Sequence, residues 1–215
     1  MRAASNLLAF FALGATLVLV WRQSWRGRLR LFIVQSWLLA TLAAVVGLLA
    51  RRPALVVVGV AFAVMKTWII PRVLRRMAQG SPLRPVAPGR SAGLPVLAAG
   101  VLVVVAYVVM LPVTGVVAAG VETRSAMPLA FAMALIGLFV CVTGRDALGQ
   151  VIGFLVFENG IFALAVLATY GLPGIVEAGA FLEVLVLVLL MEGVLVQVRR
   201  EHDSLDVDRL GELRG

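Results

Sequence analysis

Long apolar runs separated by short polar breaks set the pattern of this chain. The first run, Asn6–Trp21, ends at a block of arginines: Arg22, Arg26, Arg28 and Arg30. The second is Leu31–Ala50. Arg51-Arg52-Pro53 then reverses the chain into a third run, Ala54–Ile70, which Pro71 is expected to end. Arg72–Gly93 is basic, rich in Pro and Gly, and the longest polar break. The fourth run is Leu94–Leu111, with Pro112 at its end. The fifth is Ala126–Thr143, with Ser125 placed to cap it and Pro128 in its first turn. The sixth and seventh, Leu148–Tyr170 and Ile175–Val198, flank a Gly-Leu-Pro-Gly turn, and the polar tail Arg199–Gly215 follows. Each run approaches the roughly 20 apolar residues that a bilayer-crossing helix needs. The runs are continuous rather than alternating, which excludes a transmembrane β-barrel. The expectation is an all-α polytopic membrane protein of about seven transmembrane helices. Residues 1–21 could pass for a signal peptide, but the basic block follows them directly and no clean small-residue cleavage site precedes that block, so that reading is rejected.

Charge placement sets orientation. Of 215 residues, 62% are hydrophobic and 14% charged, with a formal net charge of +8. Arg22, 26, 28, 30, 72, 75, 76, 84, 90, 145, 199, 200, 209 and 214 fall in the breaks after odd-numbered runs; only Arg2, 51, 52 and 124 fall on the other side. That asymmetry places the N-terminus outside and the C-terminus in the cytoplasm, with Arg51-Arg52 running locally against the rule. It also reads as cytoplasmic loops rather than a nucleic-acid surface, so no nucleic-acid partner is expected.

One cysteine, Cys141, and one histidine, His202, leave no intrachain disulfide and no ligand set for a metal or iron–sulfur centre. No phosphate-binding loop, nucleophile elbow or Cys-x-x-Cys pair is present. The chain is expected to carry no cofactor and no catalytic residue. If it serves a redox enzyme, the redox centres lie in other chains.

Charges inside the runs supply the candidate chemistry. Glu158 lies in the sixth run, Glu183 and Glu192 in the seventh, and Lys66 in the third. An acid at the bilayer centre costs roughly 2.5–3.5 kcal/mol on insertion scales, so such acids face a protein interior or a water-filled path and handle protons or cations by default. Glu158 lies roughly 12–15 Å from the end of its helix, near mid-bilayer. Asn159 is placed to offer it a polar partner, and Gly160 to let another helix approach. The plainer reading of Glu158 is a carboxyl hydrogen-bonded for packing. Glu183 and Glu192 are nine residues apart and project from opposite faces, so one faces a partner chain or, for Glu192, reaches toward water. Lys66 either snorkels to the interface or serves as a buried base in a proton relay. Glu122 and Glu177 read as solvated and Cys141 as a packing residue. The tail, with His202 among Asp203, Asp206 and Asp208, reads as a contact for a soluble partner chain through Leu205, Val207, Leu210 and Leu213.

Arg145-Asp146, Gly149-Gln150-Val151-Ile152-Gly153, Phe157-Glu158-Asn159-Gly160, Glu177, Gly179, His202, Ser204-Leu205-Asp206-Val207 and Leu210, together with Lys66 and Pro71, resemble the hydrogenase-4 component E family. Length and seven-helix layout agree with it. The resemblance implies a membrane subunit of an energy-converting hydrogenase complex of the formate-hydrogenlyase type. Its last three helices are similar to the K subunit of respiratory complex I, whose second and third helices carry buried glutamates on a proton path. Glu158 matches the first of these by position and Glu183 is favoured for the second, while Glu192 matches no family position. The implied partners are antiporter-like and membrane-anchor subunits and cytoplasmic nickel–iron and iron–sulfur subunits, reached in part through the tail, all at the inner (plasma) membrane.

The composition shift at the basic loop suggests three segments: 1–125, an N-terminal block; 126–198, a K-subunit-like three-helix block; and 199–215, a cytoplasmic tail. Three functions fit: a proton- or sodium-translocating subunit using Glu158, Glu183, Glu192 and Lys66, a structural bridge between antiporter-like and anchor chains, or a subunit of a multisubunit cation/proton antiporter.

Overall fold

The computed structural model describes residues 2–22, 24–79, 93–116, 123–144 and 147–169. Within them every regular element is helical: α1 (Arg2–Trp21), α2 (Trp25–Leu49), α3 (Pro53–Val64), a π-helical segment Met65–Ile69, α4 (Ile70–Gln79), α5 (Gly93–Val116), a 3₁₀ turn Arg124–Ala126, α6 (Met127–Thr143) and α7 (Ala147–Thr169). Six helical rods among the described residues are long and apolar enough to cross a bilayer; α3, the π segment and α4 together make one of them. The expected seventh run, and with it Glu177, Glu183, Glu192 and the tail, lies outside the described residues.

The N-terminal helices start earlier than the apolar pattern predicts. α1 begins at Arg2 rather than Asn6, and α2 at Trp25 rather than Leu31, so Arg26, Arg28 and Arg30 of the arginine block are helical. Local hydrogen bonding explains this. Ser24 sits in an extended conformation and its hydroxyl accepts from the Gly27 amide at 3.3 Å, an N-cap that starts the helix there. The exposed guanidinium groups of Arg26 and Arg30 keep water contact while their stems extend the apolar surface. At the other end of α2, Arg51 adopts a left-handed φ of 55° and the Arg52 amide returns to the Gly47 carbonyl at 2.7 Å. This is a Schellman-type stop with an arginine where glycine is usual, and Pro53 starts α3 directly.

Pro71 does not end the third rod. The helix runs on to Gln79 because the turn before the proline is widened: the Ile70 amide bonds the Met65 carbonyl, five residues back. A proline ring ordinarily clashes with the carbonyl four residues earlier. The wider π turn makes room for it. α5 likewise passes through Pro112 to Val116, losing one backbone bond near its end. Ser125 is not a cap either. It lies in the 3₁₀ turn and its hydroxyl donates to Asn6 Oδ1 at 3.1 Å, tying α6 to α1, and Ala126 at the N-cap makes no side-chain bond. Pro128 does sit in the first turn of α6.

α1, α2, α6 and α7 form the centre: α1 packs on α2 and α6, α2 on α7, and α6 on α7. The α3 rod covers α2, and α5 covers α6. α6 and α7 touch backbone to backbone. A Cβ on Gly137 would lie 2.6 Å from the Phe157 Cα, one on Gly153 2.7 Å from the Cys141 Cα, and one on Gly160 2.7 Å from the Ala134 Cα. Small residues at such contacts let membrane helices gain van der Waals energy where no hydrophobic force draws them together. This contact fixes the rotation of α7 about its axis and so decides which way its polar residues point.

Candidate functional site

Along the α3 rod the buried positions Leu55, Gly59, Phe62, Ala63, Lys66, Ile70, Val73 and Leu74 form one stripe. The π segment keeps the stripe continuous and puts the only charge in it, Lys66, on the core side. On α7 the glycine-backed contact with α6 turns Glu158 toward this rod and Asn159 toward α2. Lys66 Nζ then donates to Glu158 Oε2 at 2.8 Å, across 92 positions of sequence, with the two side chains 0% and 3% exposed.

Aromatic rings wall the pair. Lys66 Nζ lies 4.8 Å from the Phe62 ring centroid and 6.0 Å from that of Phe32. Phe62 stacks on Phe162 with centroids 4.2 Å apart and planes 14° from parallel. These faces offer the ammonium a favourable quadrupole, and they restrict water access to the pair. Snorkelling is thus not what Lys66 does; its ammonium turns inward.

A second polar group lies one residue along α7. Asn159 Nδ2 donates to Gln35 Oε1 and to Ser36 Oγ, each at 3.1 Å. Gln35 Nε2 donates to Thr16 Oγ1 at 2.7 Å and to Met133 Sδ at 3.6 Å, and Thr16 and Ser36 donate to the carbonyls of Ala12 and Phe32 at 2.8 and 2.9 Å. Asn159 therefore does not serve Glu158, as its adjacency suggests; it joins α7 to α2 and, through Gln35, to α1 and α6. Among the described residues Asn159 Oδ1 finds no hydrogen-bond partner. Thr16, Gln35 and Ser36 escape a search for charges, although an amide inside an otherwise apolar run is itself a signal. Gly160 contacts Ala134 as expected, and Cys141 is a half-buried packing residue against Gly153. Among the described residues no cluster of three or more His, Cys, Asp or Glu side chains exists.

This arrangement can hold a proton in either of two places, on the ammonium or on the carboxyl, inside a dry and aromatic-walled interior.

Comparison with known proteins shows what the chain resembles. It is 35% identical over 215 residues to the "Uncharacterized protein Rv0085" of Mycobacterium tuberculosis, covering 97% of each chain. The chain belongs to the same family as Rv0085. It is also 26% identical over 212 residues to "Hydrogenase-4 component E" of Escherichia coli K12, with 98% of this chain and 97% of that one covered, and the protein of that name from Shigella flexneri gives the same figures. No family model matches the chain, and no solved structure matches it. The match to component E runs from end to end, in keeping with the family resemblance read from Glu158-Asn159-Gly160 and its neighbours.

Proposed function

We infer that this chain is a non-catalytic, multi-pass subunit of an energy-converting, hydrogenase-like complex in the inner (plasma) membrane. Lys66 and Glu158 lie on its path for protons or sodium ions, with Glu183 and Glu192 as further carboxylates of that path. The observation that carries the reading is the Lys66–Glu158 pair itself, 2.8 Å long and enclosed in membrane-spanning helices. Ionisable groups at such depth are costly and mark ion pathways. The full-length likeness to a hydrogenase-4 component supplies the kind of complex. The similarity of the last three runs to the complex I K subunit is part of the same proposal. The redox chemistry would belong to partner subunits, and the tail would face them.

A specific observation also favours a structural bridge: the pair is buried between helices, and Asn159 ties four helices together. The two readings part in one experiment. Because Glu158 is ion-paired, Glu158→Gln alone disturbs packing as well as proton handling. The double variant Lys66→Met/Glu158→Leu removes both charges and keeps an apolar fill. In sealed vesicles, redox-driven ion pumping normalised to assembled complex should fall at least tenfold. Pumping at the wild-type level would promote the structural reading, and a purified complex with no redox partner at all would remove the hydrogenase-like assignment.

A further inference from the structure

We propose that the stacked rings of Phe62 and Phe162 are a gate on the ion path through Lys66 and Glu158. The inference rests on the pair lying on such a path, and it adds the element that closes one side of it. Phe62 precedes Lys66 by four residues along the α3 rod, and Phe162 follows Glu158 by four along α7. Phe62 meets Phe162 while Lys66 meets Glu158, so the two helices run in opposite directions here. The ring stack is the next rung of the same ladder, one helical turn or about 6 Å from the ion pair. It lies on the side of the α2–α3 turn. With centroids 4.2 Å apart and planes 14° from parallel, the rings are in van der Waals contact and leave no room for water between them.

The two sides of the pair are closed by different means. Past Lys66, α4 packs on α7 backbone near backbone. Before it, the close backbone packing of α3 is with α2, and the two rings span the space to α7. A backbone contact yields only when a helix moves, whereas a ring swings aside by rotation about χ1 and χ2. Phe162 is half-buried, so part of its ring faces no neighbour and has space to turn into. Apolar constrictions of this kind block ions when dry and pass them when wetted. The charge on Lys66 is tied to the stack. Its ammonium lies 4.8 Å from the Phe62 centroid, an attraction that a neutral amine lacks. When the proton passes from Nζ to Glu158 Oε2, an N–H bond is exchanged for an O–H bond and both groups become neutral. Phe62 then loses its hold on the amine and is free to part from Phe162; return of the proton draws it back. Proton movement within the pair is thereby coupled to opening toward the α2–α3 turn.

The test measures access to Glu158 from water in the full chain reconstituted in lipid nanodiscs. The probe is a water-soluble carbodiimide with glycine ethyl ester as the trapping amine, and modification of the peptide that holds Glu158 is followed by mass spectrometry. Phe162→Ala should raise the rate of modification about tenfold or more, and Phe162→Leu, which keeps more of the apolar bulk, severalfold. Phe162→Tyr keeps the ring plate and should stay within about twofold of wild type. Ile70→Ala removes a fully buried side chain one turn to the other side of Lys66 and should also stay within about twofold. Helicity by circular dichroism is checked for each variant, and Phe162→Leu carries the test if Phe162→Ala loses structure. An unchanged rate in Phe162→Leu and Phe162→Ala, or an equal rise in Ile70→Ala, would overturn the gate. The labelling reads access and not transport, so the gate can fail while pumping still depends on the pair, and failure of the ion-path reading shows in pumping alone.

Discussion

Removing one partner of the Lys66–Glu158 pair should cost far more than removing both. Both side chains are essentially without solvent contact. Breaking a buried ion pair from one side typically costs about 3–5 kcal/mol because it strands a charge, while replacing the whole pair with apolar residues of similar volume is often neutral or stabilising. The two single variants should differ. In Glu158→Gln the ammonium keeps its other contacts, the Phe62 face at 4.8 Å among them, so the loss should lie near the lower figure, about 3 kcal/mol. In Lys66→Met the carboxylate keeps no partner among the described residues, and the loss should approach about 5 kcal/mol. Lys66→Met/Glu158→Leu should recover to within about 1.5 kcal/mol of wild type, the usual limit for volume-conserving apolar swaps. The assay is reversible unfolding of the full chain from mixed micelles by sodium dodecyl sulfate, followed by circular dichroism. A Glu158→Gln cost below about 1 kcal/mol, or a double variant that shows the sum of the two single losses, would refute the buried, mutually dependent pair.

Further outcomes follow from the same packing. Gly160→Leu forces α7 away from the Ala134 backbone and should destabilise by about 3 kcal/mol or more, with Gly160→Ala intermediate at about 1–3 kcal/mol, in the same unfolding assay; equal stability of all three would deny the close helix contact. Gln35→Leu strands one Asn159 amide hydrogen and should cost about 1–3 kcal/mol, whereas Trp37→Leu, on the exposed face of α2, should cost much less. A reporter active only in the cytoplasm should work when fused after Gly215 and be silent when inserted at residues 117–122; the reverse pattern would invert the charge-based orientation.

How much of this was legible in the sequence depends on what each feature rests on. The six described spans follow from hydropathy alone, because a bilayer demands a minimum run of apolar residues with every backbone group bonded within the helix. Their ends were less legible. Arg26, Arg28 and Arg30 look like a loop by charge, yet the Ser24 cap makes them helical, and Pro71 looks like a stop until the π turn at Met65–Ile69 accommodates it. Glu158 was legible as a costly residue, and Gly160 as a close-contact residue, since each is conspicuous in its own run.

The pairing of Lys66 with Glu158 was not legible, for a physical reason. It depends on two rotations that no single run encodes. The π segment widens one turn of the α3 rod and keeps Lys66 on the buried stripe with Phe62 and Ile70. On α7, adjacent residues project about 100° apart, so only the rotational setting of the helix decides whether Glu158 or Asn159 meets that rod. The backbone contacts at Gly153 and Gly160 make that setting, with Gly137 receiving α7 from the α6 side. Once α7 is held there, Glu158 must face Lys66 and Asn159 must face Gln35 and Ser36. The glycines are thus as much a part of the site as the charges: a larger residue at Gly153 or Gly160 would displace both polar groups at once, by pushing α7 away from α6.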